Sequence, residues 1–221
     1  MSAESNKKQD ILHAYSLLVA QNGIDKTSIS NIAKYLHVPS SLIFYYFRNK
    51  DDLINQLWDF TLETYHDCFF SRTKTEDELD FIDYVQWIFL MPPYMQKNNH
   101  SLQHVYSCMQ FYLTINSQLR NTYMKYVEKC IQLYKDTFEK FCQKKIITVD
   151  DIEGTAVHFE CLAFSAHTIF TVYCEAPKTY DKWVETSIQN FCKSIGCSKE
   201  LIKCLVDTYA STRLFQMSQN Y

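Results

Sequence analysis

Four hydroxyl side chains, Ser40, Ser41, Tyr45 and Tyr46, are gathered in the segment 39–47, which contains no Arg, Lys, Asn or Gln. Hydroxyls of this kind hydrogen-bond to base edges and phosphates, and their apolar parts touch thymine methyls. The side chains that pair bidentately with guanine or adenine are missing, so any sequence preference leans on DNA shape as well as direct contact. Thr27, Ser28 and Lys50 flank the segment and suit phosphate oxygens, Lys50 beside a helix start whose amides also favour anions. The ordinary alternative is that Tyr45 and Tyr46 pack inward. Two adjacent aromatics on one short helix cannot both do so fully, which leaves at least one facing out.

Two further sets could do chemistry. His100, His104 and Cys108 form one stripe of a helix, but the first and third stand about 12 Å apart along its axis, so one metal ion cannot take all three. Partly buried His and small apolar Cys are the usual meaning of such a stripe. Aromatics spread through the chain, among them Trp58, Tyr65, Trp87 and Phe164, are the kind that line an apolar pocket, with His104, Cys108 and His167 as polar or soft groups that orient a ligand. At helical spacing they are more often plain core. The nine cysteines have no CxxC spacing, which suggests reduced thiols in a cytoplasm, and none is singled out as reactive. No GxGxxG, P-loop, GxSxG or HExxH motif occurs, and nothing points to an enzyme or a resident cofactor.

The elements that must position the hydroxyl segment are short helices. Ile29, Ile32, Ala33 and Leu36 recur at helical spacing behind Thr27 and Ser28, which can cap. A turn at Tyr35–Val38 leads into the segment 39–47, where Leu42, Ile43 and Phe47 face inward. Asn49 stands where an N-cap is wanted, with Asp51 and Asp52 in the first turn of the next helix. This is the layout of a helix-turn-helix, whose second helix enters the DNA major groove.

The segment resembles the DNA-binding domain of the TetR (tetracycline-repressor-like) transcriptional regulators. The residues that carry the likeness are Thr27, Ser28, Ile29, Ile32, Ala33, Leu36, Val38, Tyr46, Phe47, Lys50, Asp51 and Leu53, preceded by a helix near residues 6–21 and the phrase Gly23–Thr27. Five positions depart from the family pattern, Ser41 and Leu42 among them, which stand where Gly or Ala and then Thr are common. His37 stands where Gly is usual in the turn. Pro39 replaces a Ser cap, so that either Ser40 caps or the helix start shifts by one, and Phe44 stands where a Tyr hydroxyl usually meets phosphate.

The resemblance implies an all-α protein: a three-helix helix-turn-helix DNA-binding domain at 1–49, then a larger helical ligand-binding and dimerisation domain at 50–221. It implies a homodimer that reads a palindromic operator in double-stranded DNA and answers to a small apolar or aromatic effector, usually as a repressor. It places the dimer interface on the helices expected at 150–175 and 179–195, where Ala156, Ala163, Ser165 and Ala166 permit close approach. The alternative is a TetR-like co-activator or adaptor that binds another regulator rather than DNA.

Composition agrees with helices. Only three Gly and four Pro occur in 221 residues that are 47% hydrophobic. Further helices are expected at 50–70, at 76–91 where Pro92-Pro93 stop it, and at 100–117, 119–143, 150–175, 179–195 and 198–216. A polar stretch at 71–75 separates the first two. The stretch 156–176 carries His158, Glu160 and His167 and reads as a buried helix rather than a membrane span, and no signal peptide is recognisable. Net charge is −3, and the first 66 residues hold six Lys or Arg against seven Asp or Glu, so no general pull toward nucleic acid exists. Lys26, Lys34, Arg48 and Lys50 can still form a local patch.

Overall fold

Helix starts in this chain follow side-chain caps more closely than they follow prolines. The computed structural model describes residues 3–71, 75 and 77–218, and every regular element among them is an α-helix. In chain order these are α1 (Ala3–Asn22), α2 (Ile29–Tyr35), α3 (Ser40–Tyr46), α4 (Lys50–Phe70), α5 (Glu78–Asn98), α6 (His100–Tyr112), α7 (Ser117–Gln143), α8 (Ile152–Tyr173), α9 (Pro177–Ser194) and α10 (Lys199–Ser218). Side-chain oxygens of Ser28, Asn49, Asp77, Asn116, Asp151 and Ser198 each accept from an amide three residues on, at 2.8 to 3.2 Å. These bonds satisfy amides that a helix start otherwise leaves orphaned.

Two expected boundaries move for physical reasons. Pro92 and Pro93 do not stop α5, which continues to Asn98. Pro93 cannot bond the Phe89 carbonyl, and that carbonyl instead accepts the Tyr180 hydroxyl at 2.7 Å. Helix α6 ends at Tyr112 rather than near residue 117, because Asn116 turns its side chain forward to cap α7 and Arg120 donates back to the Leu113 carbonyl at 3.3 Å. The helix start expected at Glu76, and residues 72–74 of the polar stretch, lie outside the described residues.

The chain divides into two compact units. One comprises the residues up to His66 together with Met95–Met124. Within it α1 packs on α6 and α2, and α2 on α3. Its core takes Ile11, Tyr15, Val19, Ile32, Ile43, Phe47, Leu53, Leu57, Trp58, Leu102 and Val105, with the Ser16 and Ser101 hydroxyls 3.1 Å apart between α1 and α6. The other unit comprises Asp67–Tyr94 and the chain from Lys125 onward. Aromatic rings dominate its core: Phe159 stacks on Tyr84 at 5.3 Å and meets Tyr134, Phe138 and Phe191 between 5.0 and 5.3 Å. Edge and offset contacts of this kind add to the burial of large apolar area.

Candidate nucleic-acid interface and effector residues

A helix-turn-helix needs a rigid frame, and the caps supply it. Ser28 and Asn31 bond reciprocally at the start of α2: the Asn31 amide donates to Ser28 Oγ at 3.2 Å, and the Ser28 amide to Asn31 Oδ1 at 2.8 Å. This is a capping box with Asn in place of the usual Glu or Gln. After α2, His37 takes φ 55° and Val38 N donates to Ala33 O at 3.0 Å, so a His occupies the left-handed cap where Gly is easiest. Replacing His37 by Gly should raise stability by about 0.5–1 kcal/mol, read by denaturant unfolding, because a Cβ at positive φ is strained; an unchanged midpoint contradicts that reading.

Helix α3 starts at Ser40 with Pro39 as its N-cap, and Pro39 provides no side-chain cap. Ser40 is the first helical residue and does not cap. Ile43 and Phe47 are fully buried, Ser41, Phe44 and Tyr45 are exposed, and Ser40, Leu42 and Tyr46 are half-buried. Tyr45 is 70% exposed and its ring meets the edge of Tyr46 at 5.0 Å. Phe44, 53% exposed, and Tyr35, 48% exposed, are also surface aromatics, and of the two sequence reasoning did not place Tyr35 outward. An i, i+4 pattern cannot tell which side of so short a helix is covered.

Thr27, expected at phosphate, is buried at 1% exposure, and its hydroxyl donates to the carbonyls of Gly23 and Leu18 at 2.8 and 3.2 Å. Its role is to close the α1–α2 turn. Ser28 is exposed but serves as the α2 cap. Lys50 Nζ donates to the Asp25 carbonyl at 3.1 Å, and Asp25 also accepts the Tyr112 hydroxyl at 3.1 Å. The first residues of α4 and the end of α6 are therefore tied to the α1–α2 turn. Lys26, Lys34 and Arg48 are exposed. At the α4 start, burial opposes ionisation of Asp52. Hydrogen bonds from Gln56 and the Arg48 amide, with the Arg48 and Lys8 charges, outweigh it and hold the carboxyl below its usual range.

The expected effector residues separate between the two units. In the first, Trp58 is fully buried, with Tyr106 at 5.5 Å and Tyr123 at 5.9 Å, and Tyr65 stacks on Tyr106 at 4.7 Å. The Tyr65 hydroxyl donates to Gln103 Oε1 at 2.6 Å, while Trp58 Nε1 is buried without a hydrogen-bond partner among the described residues. A buried indole N–H without a hydrogen-bond partner is energetically expensive. Half-buried His104 faces His100 at 6.4 Å, and burial, then the neighbouring His100, lowers its pKa. Burial raises that of the half-buried Cys108. No group of three His, Cys, Asp or Glu residues among those described is placed to hold a metal.

Trp87, Phe164 and His167 belong to the other unit. Trp87 meets Tyr94 at 5.2 Å, Phe164 is half-buried, and burial lowers the His167 pKa to about 3. An unfolded His takes a proton near pH 6.5 that folded His167 refuses. Its contribution is therefore neutral above that pH and becomes destabilising as pH falls toward 3, by about 1.4 kcal/mol per pH unit. Unfolding measured from pH 7 to 5 should show this slope, and His167→Gln should remove it; an unchanged slope in the variant would place the effect elsewhere.

Comparison with known proteins agrees with this geometry. Residues 11–57 match the family model described as bacterial regulatory proteins, tetR family. No curated protein matches the chain. A TetR transcription regulator from Haloarcula marismortui superposes with a TM-score of 0.72 at 16% identity, covering 86% of this chain and 98% of that one. GusR from Salmonella enterica gives 0.71 at 16% identity, covering 89% and 99%. The regulator FadR from Bacillus subtilis in complex with stearoyl-CoA gives 0.66 at 16% identity, covering 85% and 98%. At such identity the structures establish the fold, and the family model establishes the amino-terminal domain. The chain thus carries, over residues 11–57, a domain that matches the tetR family of bacterial regulatory proteins, on the all-helical fold of solved TetR-family regulators.

Proposed function

We propose that the protein is a homodimeric, ligand-responsive transcriptional regulator of the cytoplasm that represses by binding a palindromic operator and lets go when a small apolar or aromatic molecule binds. The observation that carries this reading is the tetR-type helix-turn-helix, capped at both α2 and α4, that leaves Ser41, Phe44 and Tyr45 of α3 on the surface. In the proposed complex Ser40, Ser41, Tyr45 and Tyr46 meet base edges and sugar-phosphate. Ser28 and Lys50 meet phosphate, and Thr27 positions them from within. No described helix is long and apolar enough to cross a membrane.

Dimerisation has support in α8. It carries Glu153 and Glu160 but no Lys or Arg, and among the described residues the large apolar side chains exposed in its unit lie on it: Val157, Val172 and Tyr173. A helix that lacks Lys and Arg and leaves apolar side chains on the surface suits a partner helix. Ala156 and Ala166 are fully buried within the chain, so close approach of a partner falls to Ala163 and Ser165, which are half-buried.

The effector is proposed to act through α4. That helix bears Lys50 at its reading-head end and Trp58 and Tyr65 in the aromatic cluster, so a tilt about the cluster moves its first turn. DNA and effector then favour different conformers, and each weakens the other by the same factor.

A second reading keeps the fold but not the DNA. Segment 39–47 lacks base-reading Arg, Lys, Asn and Gln, and its exposed Phe44 and Tyr45 suit a protein surface. Selection of bound duplexes from random DNA with the purified protein, at moderate salt, separates the two. Enrichment of one palindrome, with affinity falling steeply as salt rises, supports the operator-binding dimer. A folded dimer that enriches nothing supports the adaptor.

A further inference from the structure

The turn between α9 and α10 brings two thiols together. Gly196 has φ 69°, and Cys197 N donates to Cys192 O at 3.0 Å, the six-to-one bond of a left-handed helix cap. In such caps the side chains at the two ends of that bond are frequently neighbours, ordinarily apolar ones, and here both are cysteines. Bond lengths along the path Cα–C=O···N–Cα hold the two Cα atoms within about 7 Å, the limit that a disulfide spans. Hydrogen bonding to Cys197, and then burial, push the Cys192 pKa upward. The turn is held from outside as well. Thr148 N donates to Ile195 O at 3.1 Å, and a Cβ added at Gly196 would come within 3.2 Å of Thr148 O.

The pair is also asymmetric. Cys192 is fully buried and Cys197 is half-exposed. Elsewhere Cys130 is buried with its thiol pushed up to about 12, chiefly by burial, which makes it a poor nucleophile.

We propose that Cys192 and Cys197 form a reversible dithiol–disulfide site that gives two electrons to a peroxide, independently of what the helix-turn-helix binds. The Cys197 thiolate attacks one peroxide oxygen. An S–O bond forms, the O–O bond breaks, and the departing hydroxide leaves as water with the proton that Cys197 lost. The Cys192 sulfur then displaces the oxygen from the sulfenic acid. The S–S bond replaces S–O, and the Cys192 proton leaves with the oxygen in a second water. Two thiols and one hydrogen peroxide thus become one disulfide and two waters. The reaction closes a covalent ring across the C-cap of α9, and a cytoplasmic thiol reductant reopens it.

The test is mild hydrogen peroxide treatment of the folded, full-length protein, then denaturation, alkylation and peptide mass mapping. The expected result is a Cys192–Cys197 link that is lost on dithiothreitol treatment, with the other seven of nine cysteines still alkylated. In Cys197→Ser, Cys192 should remain fully alkylated after the same treatment. Cys192→Ser should accumulate Cys197 sulfenic acid, trapped by dimedone. Two results overturn the proposal: Cys192 and Cys197 both alkylated at peroxide levels that oxidise the exposed cysteines, or Cys197 driven to sulfinic acid while Cys192 stays a free thiol. The Cys197 variant changes a half-exposed position, so the outcome stands even if the buried Cys192 variant fails to fold.

Discussion

Tyr45→Ala should weaken binding to the duplex recovered by selection about 100-fold or more, a loss near 3 kcal/mol of the size seen for aromatic interface anchors. The same change should leave the folded protein nearly as it was. Tyr45 is 70% exposed, and truncation of so exposed a side chain shifts stability by no more than about 0.5 kcal/mol, or roughly 2 °C in a chain of this size. Thr27→Ala makes the contrast. It removes a buried hydroxyl bonded to two carbonyls, so it should lower stability by about 1 kcal/mol and reduce DNA binding only as far as it loosens the α1–α2 turn. Titration of each variant with labelled duplex, alongside thermal unfolding, separates contact from scaffold. Full-strength binding by both Tyr45→Ala and Tyr46→Ala would remove α3 as the reading element and favour the adaptor.

Local chemistry made the helix-turn-helix legible in the sequence. Ser28 with Asn31, Asn49 with Asp52, and His37 at the left-handed turn are decided by residues within a few positions of one another. Short-range signals of this kind survive folding, which is why α4 runs over the expected 50–70. Thr27 misled because a hydroxyl before a helix suits both phosphate and a neighbouring carbonyl, and only burial distinguishes them. Tyr35 was missed for the same reason in reverse. The candidate effector residues were chosen by type, and their assignment to separate units depends on which helices pack together, which periodicity does not encode. The Cys192–Cys197 pair has no recognised spacing; it becomes visible only once Gly196 turns the chain back on itself.

The misread prolines lead to the largest stability effect expected of a conservative change. In α5 the Phe89 carbonyl would ordinarily accept from residue 93, or from residue 92 in a tighter turn. Both are proline and neither has an N–H. The Tyr180 hydroxyl of α9 fills the place at 2.7 Å, from a side chain with no solvent exposure. Tyr180→Phe keeps the ring against Phe170 and under the Arg213 guanidinium, yet strands a buried acceptor. It should therefore destabilise by about 2–3 kcal/mol and lower the unfolding midpoint by about 5 °C or more. Pro93→Ala returns an amide to the same carbonyl. In that background Tyr180→Phe should cost about 1 kcal/mol, leaving a coupling of roughly 1–2 kcal/mol between residues that are far apart in sequence. Equal costs in the two backgrounds would mean that the hydroxyl does not substitute for the missing amide, and the continuation of α5 past its prolines would need another cause. A measured coupling would show that the double proline is tolerated because a tyrosine from another helix takes over a backbone hydrogen bond, a dependence that no window of local sequence contains.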